Sequence, residues 1–125
     1  MNTYRELKVW QTGIEMVESV YRLTKAFPAD ERFGLTSQLQ RAAVSVPANI
    51  AEGWGRSRSG DYLHHLSIAK GSLMEVETHL VIALRLNFTS KEEAKSTWEL
   101  AQETGKMLSA LIASIKKRQG LGIGS

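Results

Sequence analysis

The stretch "AAVSVPANIAEGWGR" at residues 42–56 limits the fold more than any other part of the chain. Pro47 has no N–H to give the carbonyl of Ala43, and its ring crowds that turn. Inside a helix this costs about 3 kcal/mol. A helix that stopped and restarted there would normally lose its phase. Instead Leu35, Leu39, Ala42, Val46, Ile50 and Trp54 recur at spacings of three and four straight through the proline. The expectation is one kinked helix from Leu35 to Trp54, with packing offsetting the cost and Gly55 as its cap.

That helix is apolar around too much of its circumference for a surface helix. At about 100° per residue, Leu35, Leu39, Ala42, Val46 and Ile50 form a stripe of larger side chains. Ala43, Val44, Pro47, Ala48 and Ala51 lie beside it, and the two sets cover about 240°. A bundle helix needs little more than about 100°. The small-residue side therefore reads as a surface for close approach, and self-association is expected from it. The candidate interface is Val44, Ala48 and Ala51, with Leu63, Met74 and Val81 from a third helix, where they fall off the core stripe.

Three more segments carry helical periodicity. The first places Leu7, Trp10, Ile14, Val17, Tyr21 and Thr24 on one row and ends at Pro28. The third opens at Ser59, a candidate N-cap with Asp61 in the first turn. Its stripe is Tyr62, Leu66, Ala69, Leu73, Val76, Leu80 and Ala83, and Asn87 fits its end. The fourth starts with a capping box, Ser90 to Glu93. It continues through Ala94, Trp98, Ala101, Gly105, Leu108, Ile112 and Ile115. The fold class is all-α: an antiparallel up-down-up-down four-helix bundle over residues 1–119 with a Pro-kinked second helix. Residues 120–125 read as a disordered C-terminal tail.

At 125 residues the chain suits one domain with a real core. It holds no cysteine, which removes disulfides and thiolate chemistry. No uncharged run is long enough for a membrane span, and a cytoplasmic setting is expected. The net charge is +3, from 16 basic and 13 acidic residues. The positive excess is uneven. After Glu103 come Lys106, Lys116, Lys117 and Arg118 with no acid, and "GRSRSG" adds Arg56 and Arg58.

The polar side chains point to binding more than to catalysis. Gln38, Arg41, Ser45, Asn49, Glu52 and Arg56 form a narrow row on the second helix, where arginines suit phosphate and Asn49 suits a hydrogen bond. Glu52 and Arg56 have the spacing of a helical ion pair. Trp54 beside Arg56 and Arg58 is an aromatic-plus-cation arrangement that single-stranded nucleic acid uses, although its register places it in the core. The candidate nucleic-acid contacts are Arg41, Arg56, Arg58 and Lys70. Asp61 with His64, Glu75 with His79, and Glu52 with Glu75 are the conceivable metal pairs. None reaches the two Glu-x-x-His motifs of a di-iron bundle. "GWGRSRSG" lacks the lysine of a phosphate loop. Neither a cofactor nor enzymatic activity is expected.

"YRELKVWQTGIEMV", "FGLTSQLQRAAVSVPANIAEGWGR" and "HLSIAKGSLMEVETHL", in that order, resemble the four-helix-bundle family associated with intervening sequences in bacterial 23S ribosomal RNA genes. The resemblance spans about residues 3–116. It implies a cytoplasmic bacterial protein, often a homopentamer, with no established enzymatic activity. Some members have been labelled ribosomal proteins. A structurally similar protein is the nucleic-acid-binding accessory of diversity-generating retroelement reverse transcriptases. The resemblance maps its motif onto Arg41, Pro47, Asn49, Glu52, Gly53, Gly71 and Glu75, with structural or polar-contact roles. It implies a homo-oligomer that binds RNA or DNA through basic surface. The alternative is a protein-interaction adaptor or scaffold, such as a reverse-transcriptase accessory protein.

Overall fold

The computed structural model describes residues 3–122. Four helices account for most of them: α1 (Lys8–Thr24), α2 (Leu35–Trp54), α3 (Ser59–Arg85) and α4 (Lys91–Gly122). Single 3-10 turns at Tyr4–Glu6 and Ala29–Glu31 precede α1 and α2. No strand occurs among the described residues. α4 runs through residues 120–122, the first part of the expected tail; the remainder of that tail, 123–125, lies outside the described residues. Each helix packs on its sequence neighbours, and α1 also packs on α4. The diagonal pairs α1/α3 and α2/α4 bring no Cα atoms within 8 Å of each other. This closed ring of neighbours is the packing of a four-helix bundle.

α2 passes through Pro47 as one uninterrupted helix. Its larger stripe, Leu35, Leu39, Ala42, Val46 and Ile50, is buried, while Trp54 is half-buried with its ring edge-on to Tyr62. The small-residue side divides. Ala43 and Pro47 are buried, with Pro47 resting on Gly13 of α1. Val44 and Ala48 face outward and Ala51 is half-buried. Gly55 caps the helix by position, yet its φ of −74° is right-handed. Its N–H reaches the carbonyls of Ala51 and Glu52 without a left-handed turn.

The α3 stripe is buried from Leu66 to Ala83 as its spacing implies. Its start differs from expectation. Arg58 takes the N-cap position, makes no side-chain cap bond, and Ser59 is already helical. Its end is a Schellman motif. Asn87 has φ 62°, the Phe88 N–H donates to the Ala83 carbonyl at 2.9 Å, and the Asn87 N–H donates to Leu84 at 3.1 Å. The α4 capping box forms: the Glu93 N–H donates to Ser90 Oγ at 3.1 Å, and the Ser90 N–H donates to Glu93 Oε1 at 3.2 Å.

α1 buries a different face from the one its large apolar residues mark, and α4 adds two threonines to its expected stripe. In α1 the core takes Val9, Thr12, Met16, Ser19, Val20 and Thr24. Of the expected row, Leu7, Trp10, Ile14 and Val17 are half-buried and Tyr21 is exposed; only Thr24 is buried. In α4 the expected Ala94, Ala101, Leu108 and Ile115 are buried together with Thr97 and Thr104, whereas Trp98 is exposed and Gly105 and Ile112 are half-buried. The reason is satisfied hydroxyls at close-packed seams. Ser19 and Thr97 hydrogen-bond across the α1/α4 contact at 2.6 Å, and Thr104 Oγ1 donates to the Leu100 carbonyl at 2.7 Å. Gly105 allows α4 near α3, since a methyl there would lie 3.2 Å from Leu73.

Two experiments follow from this packing. A Gly53 methyl would lie 2.9 Å from Tyr62 Cδ1 and 3.0 Å from His65 Cβ, whereas around Gly71 there is open space. Urea unfolding should therefore show Gly53→Ala losing about 1–3 kcal/mol through overpacking. Gly71→Ala should gain about 0.5–1 kcal/mol in helix propensity. Ser19→Ala alone strands the buried Thr97 hydroxyl and should cost about 1–3 kcal/mol, while Ser19→Ala with Thr97→Val should recover most of that loss.

Candidate functional site

A connected polar row runs along the seam between α2 and α3. It exists because residues late in α2 meet residues early in α3: Gly53 lies against Tyr62 and His65, and Ser45 against Ser72. Asn49 Nδ2 donates to the Ser45 carbonyl at 2.9 Å and to Ser45 Oγ at 3.0 Å. Ser72 Oγ donates to the same Ser45 Oγ at 2.8 Å. A carbonyl oxygen only accepts, so the Asn49 amide is fixed with Oδ1 facing His65 Nδ1, 3.1 Å away. The imidazole must then donate from Nδ1. Its Nε2 faces Glu52, 3.8 Å from Oε2, a distance at which the protonated ring forms an ion pair.

Glu52 is held from its other side. Arg56 Nη2 donates to Glu52 Oε2 at 2.6 Å. That bond, reinforced by the neighbouring His65 and Arg56 charges, holds the Glu52 carboxyl below its ordinary range. The pair is half open to water and adds little stability. Its consequence is electrostatic: the Arg56 charge is largely spent inside the chain.

The four candidate nucleic-acid contacts do not share one patch. Arg41 lies beside Tyr21, Gln40 and Val44 on the α1/α2 side. Lys70 lies with Met74, Gln102 and Lys106 on the α3/α4 side. Arg56 and Arg58 sit at the α2–α3 turn. Burial raises the Tyr62 phenol above its ordinary range, and the Arg118 charge opposes that rise. Arg118, with Lys116 and Lys117 beside it in α4, therefore lies at the same end as Arg56 and Arg58.

The motif positions separate into three kinds. Pro47 and Gly53 serve packing, while Asn49 and Glu52 serve the polar row. Gly71 and Glu75 are exposed on α3, and nothing in the chain covers Gly71. The candidate interface positions are open to different degrees: Val44, Ala48, Met74 and Val81 are exposed, Ala51 and Leu63 half-buried. Among the described residues no group of three or more acidic, histidine or cysteine side chains comes together to hold a metal ion. No described helix is long and apolar enough to cross a membrane.

His65 and Ser72 are members of the row that sequence reasoning left out. The usable signal was there: two helices joined by a short turn and folded back on each other pair residues equidistant from that turn. If the row is a structural seam, Asn49→Ala should lower stability by about 1–2 kcal/mol in thermal or urea unfolding, because it leaves the half-buried His65 Nδ1–H without its acceptor. Glu52→Gln, on the exposed rim, should change it by less than about 0.5 kcal/mol.

The matches to known proteins agree with this architecture. No match is found among curated proteins. A solved structure from Bacteroides thetaiotaomicron, a protein of unknown function from the S23 ribosomal protein family, superposes with a TM-score of 0.77 at 25% identity. The alignment covers 83% of this chain and 97% of that one. The model of the 23S rRNA-intervening sequence protein family matches residues 5–110, and the chain belongs to that family.

Proposed function

We propose that this protein is a self-associating, non-enzymatic bundle of the cytoplasm that binds nucleic acid through basic surface gathered in its assembly. Its helices take the up-down-up-down course, with the bend at Pro47, expected from the sequence. The homopentamer implied by the family resemblance is the assembly expected. One observation carries the reading. Two basic segments far apart in the sequence, Arg56–Arg58 and Lys116–Arg118, come to the same end of the bundle. Of the acids near that end, Glu52 is already tied to Arg56. Arg58 and the α4 bases are exposed and suited to phosphate oxygens.

A single chain offers few such charges, and its net charge is only +3. Several copies side by side would present the same end repeatedly, so weak contacts would add by effective concentration. Arg41 and Lys70, which lie apart in one chain, would join that surface only through neighbouring copies. A second reading, an adaptor for another protein, draws on the apolar side chains that stay exposed on α3 and α4.

The test is a titration with structured RNA and with single-stranded DNA at two salt concentrations. Binding should appear at about 50 mM salt and weaken steeply by about 200 mM, as phosphate contacts require. Arg58→Ala with Lys117→Ala and Arg118→Ala should weaken binding to all sequences alike and flatten the salt slope. No binding at the lower salt would remove the nucleic-acid reading. A partner protein held equally well at both salts would favour the adaptor.

A further inference from the structure

One carboxylate oxygen stands between two basic side chains at the seam of α2 and α3. Glu52 Oε2 accepts from Arg56 Nη2 at 2.6 Å and lies 3.8 Å from His65 Nε2. The two neighbours differ in what they present. The Arg56 guanidinium keeps its charge and its donors at every ordinary pH. The imidazole has a proton on Nε2 only when it is charged, because its neutral form is committed to the other nitrogen. With its amide nitrogen donating to Ser45, Asn49 turns Oδ1 to His65 Nδ1, 3.1 Å away, and Nδ1 must donate. In the neutral ring Nε2 is then a bare lone pair. A lone pair repels a carboxylate oxygen, and Glu52 turns to Arg56.

A proton on Nε2 reverses that choice. The imidazolium aims an N–H at Oε2, and a charge-assisted bond forms once the oxygen closes from 3.8 Å to about 2.8 Å. The two pairings sit in different surroundings. The Arg56 and Glu52 side chains are 47% and 53% exposed, and an ion pair so open to water is weak. The His65 side chain is 14% exposed, so a bond on its side is better shielded. The bond from Arg56 and the His65 charge hold the Glu52 carboxyl below its ordinary range, which keeps it ionised in mild acid.

We propose that Glu52 is a pH-operated switch on Arg56: when His65 takes up a proton, the carboxylate passes from the guanidinium to the ring, and Arg56 is released to an oxyanion from outside. The other charged and titratable groups near the ring leave that role to Glu52. On α3 these are Asp61, one turn back, Tyr62, and His64, whose ring lies 5.7 Å from that of His65. On α4 it is Arg118, whose charge reaches Tyr62. Among the described acids only Glu52 comes within ion-pairing distance of the His65 ring. The trio of Glu52, Arg56 and His65 gains one positive charge in the change, beside Arg58 at the α2–α3 turn. The oxyanion expected there is a phosphodiester. That identification rests on the nucleic-acid reading above, whereas the switch itself does not.

Side-chain NMR of the isotope-labelled chain tests the switch with no ligand present. Between about pH 8 and about pH 5.5, which bracket ordinary imidazole titration, the Glu52 Cδ and Arg56 Nε signals should shift with the midpoint of the His65 ring. His65→Asn keeps a donor in place of Nδ1 and cannot take up the proton, so both signals should stay still in it. Circular dichroism checks its helices. If it loses its fold, Glu52→Gln on the exposed rim replaces it, and there the Arg56 signal should stay still. A wild-type Arg56 signal that does not move while His65 titrates, or that moves as far in the variant, overturns the switch. Structured RNA at constant low salt should bind the wild type several-fold tighter at the lower pH, and His65→Asn should lose part of that gain. An equal gain in both proteins means that Arg56 is not released to phosphate. If RNA never binds and the NMR shifts appear, the nucleic-acid reading fails and the switch stands.

Discussion

Pro47, buried against Gly13 at the α1/α2 seam, is the constraint around which α2 must pack. The proline leaves the Ala43 carbonyl without its usual helical donor, a cost of about 3 kcal/mol that burial must offset. It is offset by placing the ring at the α1/α2 seam, where α1 presents a glycine. Once α1 sits there, Ala43 and Pro47 are covered, and the remaining small residues of α2 turn outward. The excess apolar arc of this helix is thus half consumed inside the chain and half left over. The leftover half, Val44 and Ala48, stays exposed, and Val44 adjoins the exposed Tyr21 on the α1/α2 face.

The same economy of size shapes α1 and α4. Their buried faces mix apolar side chains such as Met16, Val20, Leu108 and Ile115 with small and hydroxyl-bearing residues that let the helices approach. Thr12, Ser19, Thr97 and Thr104 stand where a larger apolar side chain would hold the helices apart. Their polar atoms are tolerable because they find partners, as Ser19 and Thr97 do in each other. Large side chains such as Tyr21 and Trp98 are displaced to the outside, which is the direct reason the bundle carries apolar surface on two faces. Polar residues in the core and aromatic residues on the surface are two consequences of one packing choice.

This also explains what could and could not be read from the sequence. α2 and α3 bury their large side chains, and counting apolar spacings located their core faces, the continuous helix through Pro47 and the capping box at Ser90. In α1 the same count selected Leu7, Trp10, Ile14, Val17, Tyr21 and Thr24, of which only Thr24 is fully buried; in α4 it found the buried Ala94, Ala101, Leu108 and Ile115 but included the exposed Trp98. Threonine and serine scored as polar, and nothing in spacing alone says that two hydroxyls will meet across a seam. The polar row was legible only on its α2 side, as Ser45, Asn49 and Glu52; His65 and Ser72 required pairing the helices about their turn. The basic candidates were correctly seen as exposed, but their distribution over separate surfaces is a property of the bundle. Only the fold brings Arg118 near Tyr62, in the first turn of α3.

The unspent apolar surface is the central feature, and both the proposed assembly and its proposed use for binding depend on that surface being covered in solution. Sedimentation velocity over a dilution series of the wild-type chain addresses this most directly. The expected result is a multi-chain species at micromolar concentration that gives way to smaller forms on dilution, with helicity retained. A folded single chain at every concentration would contradict it.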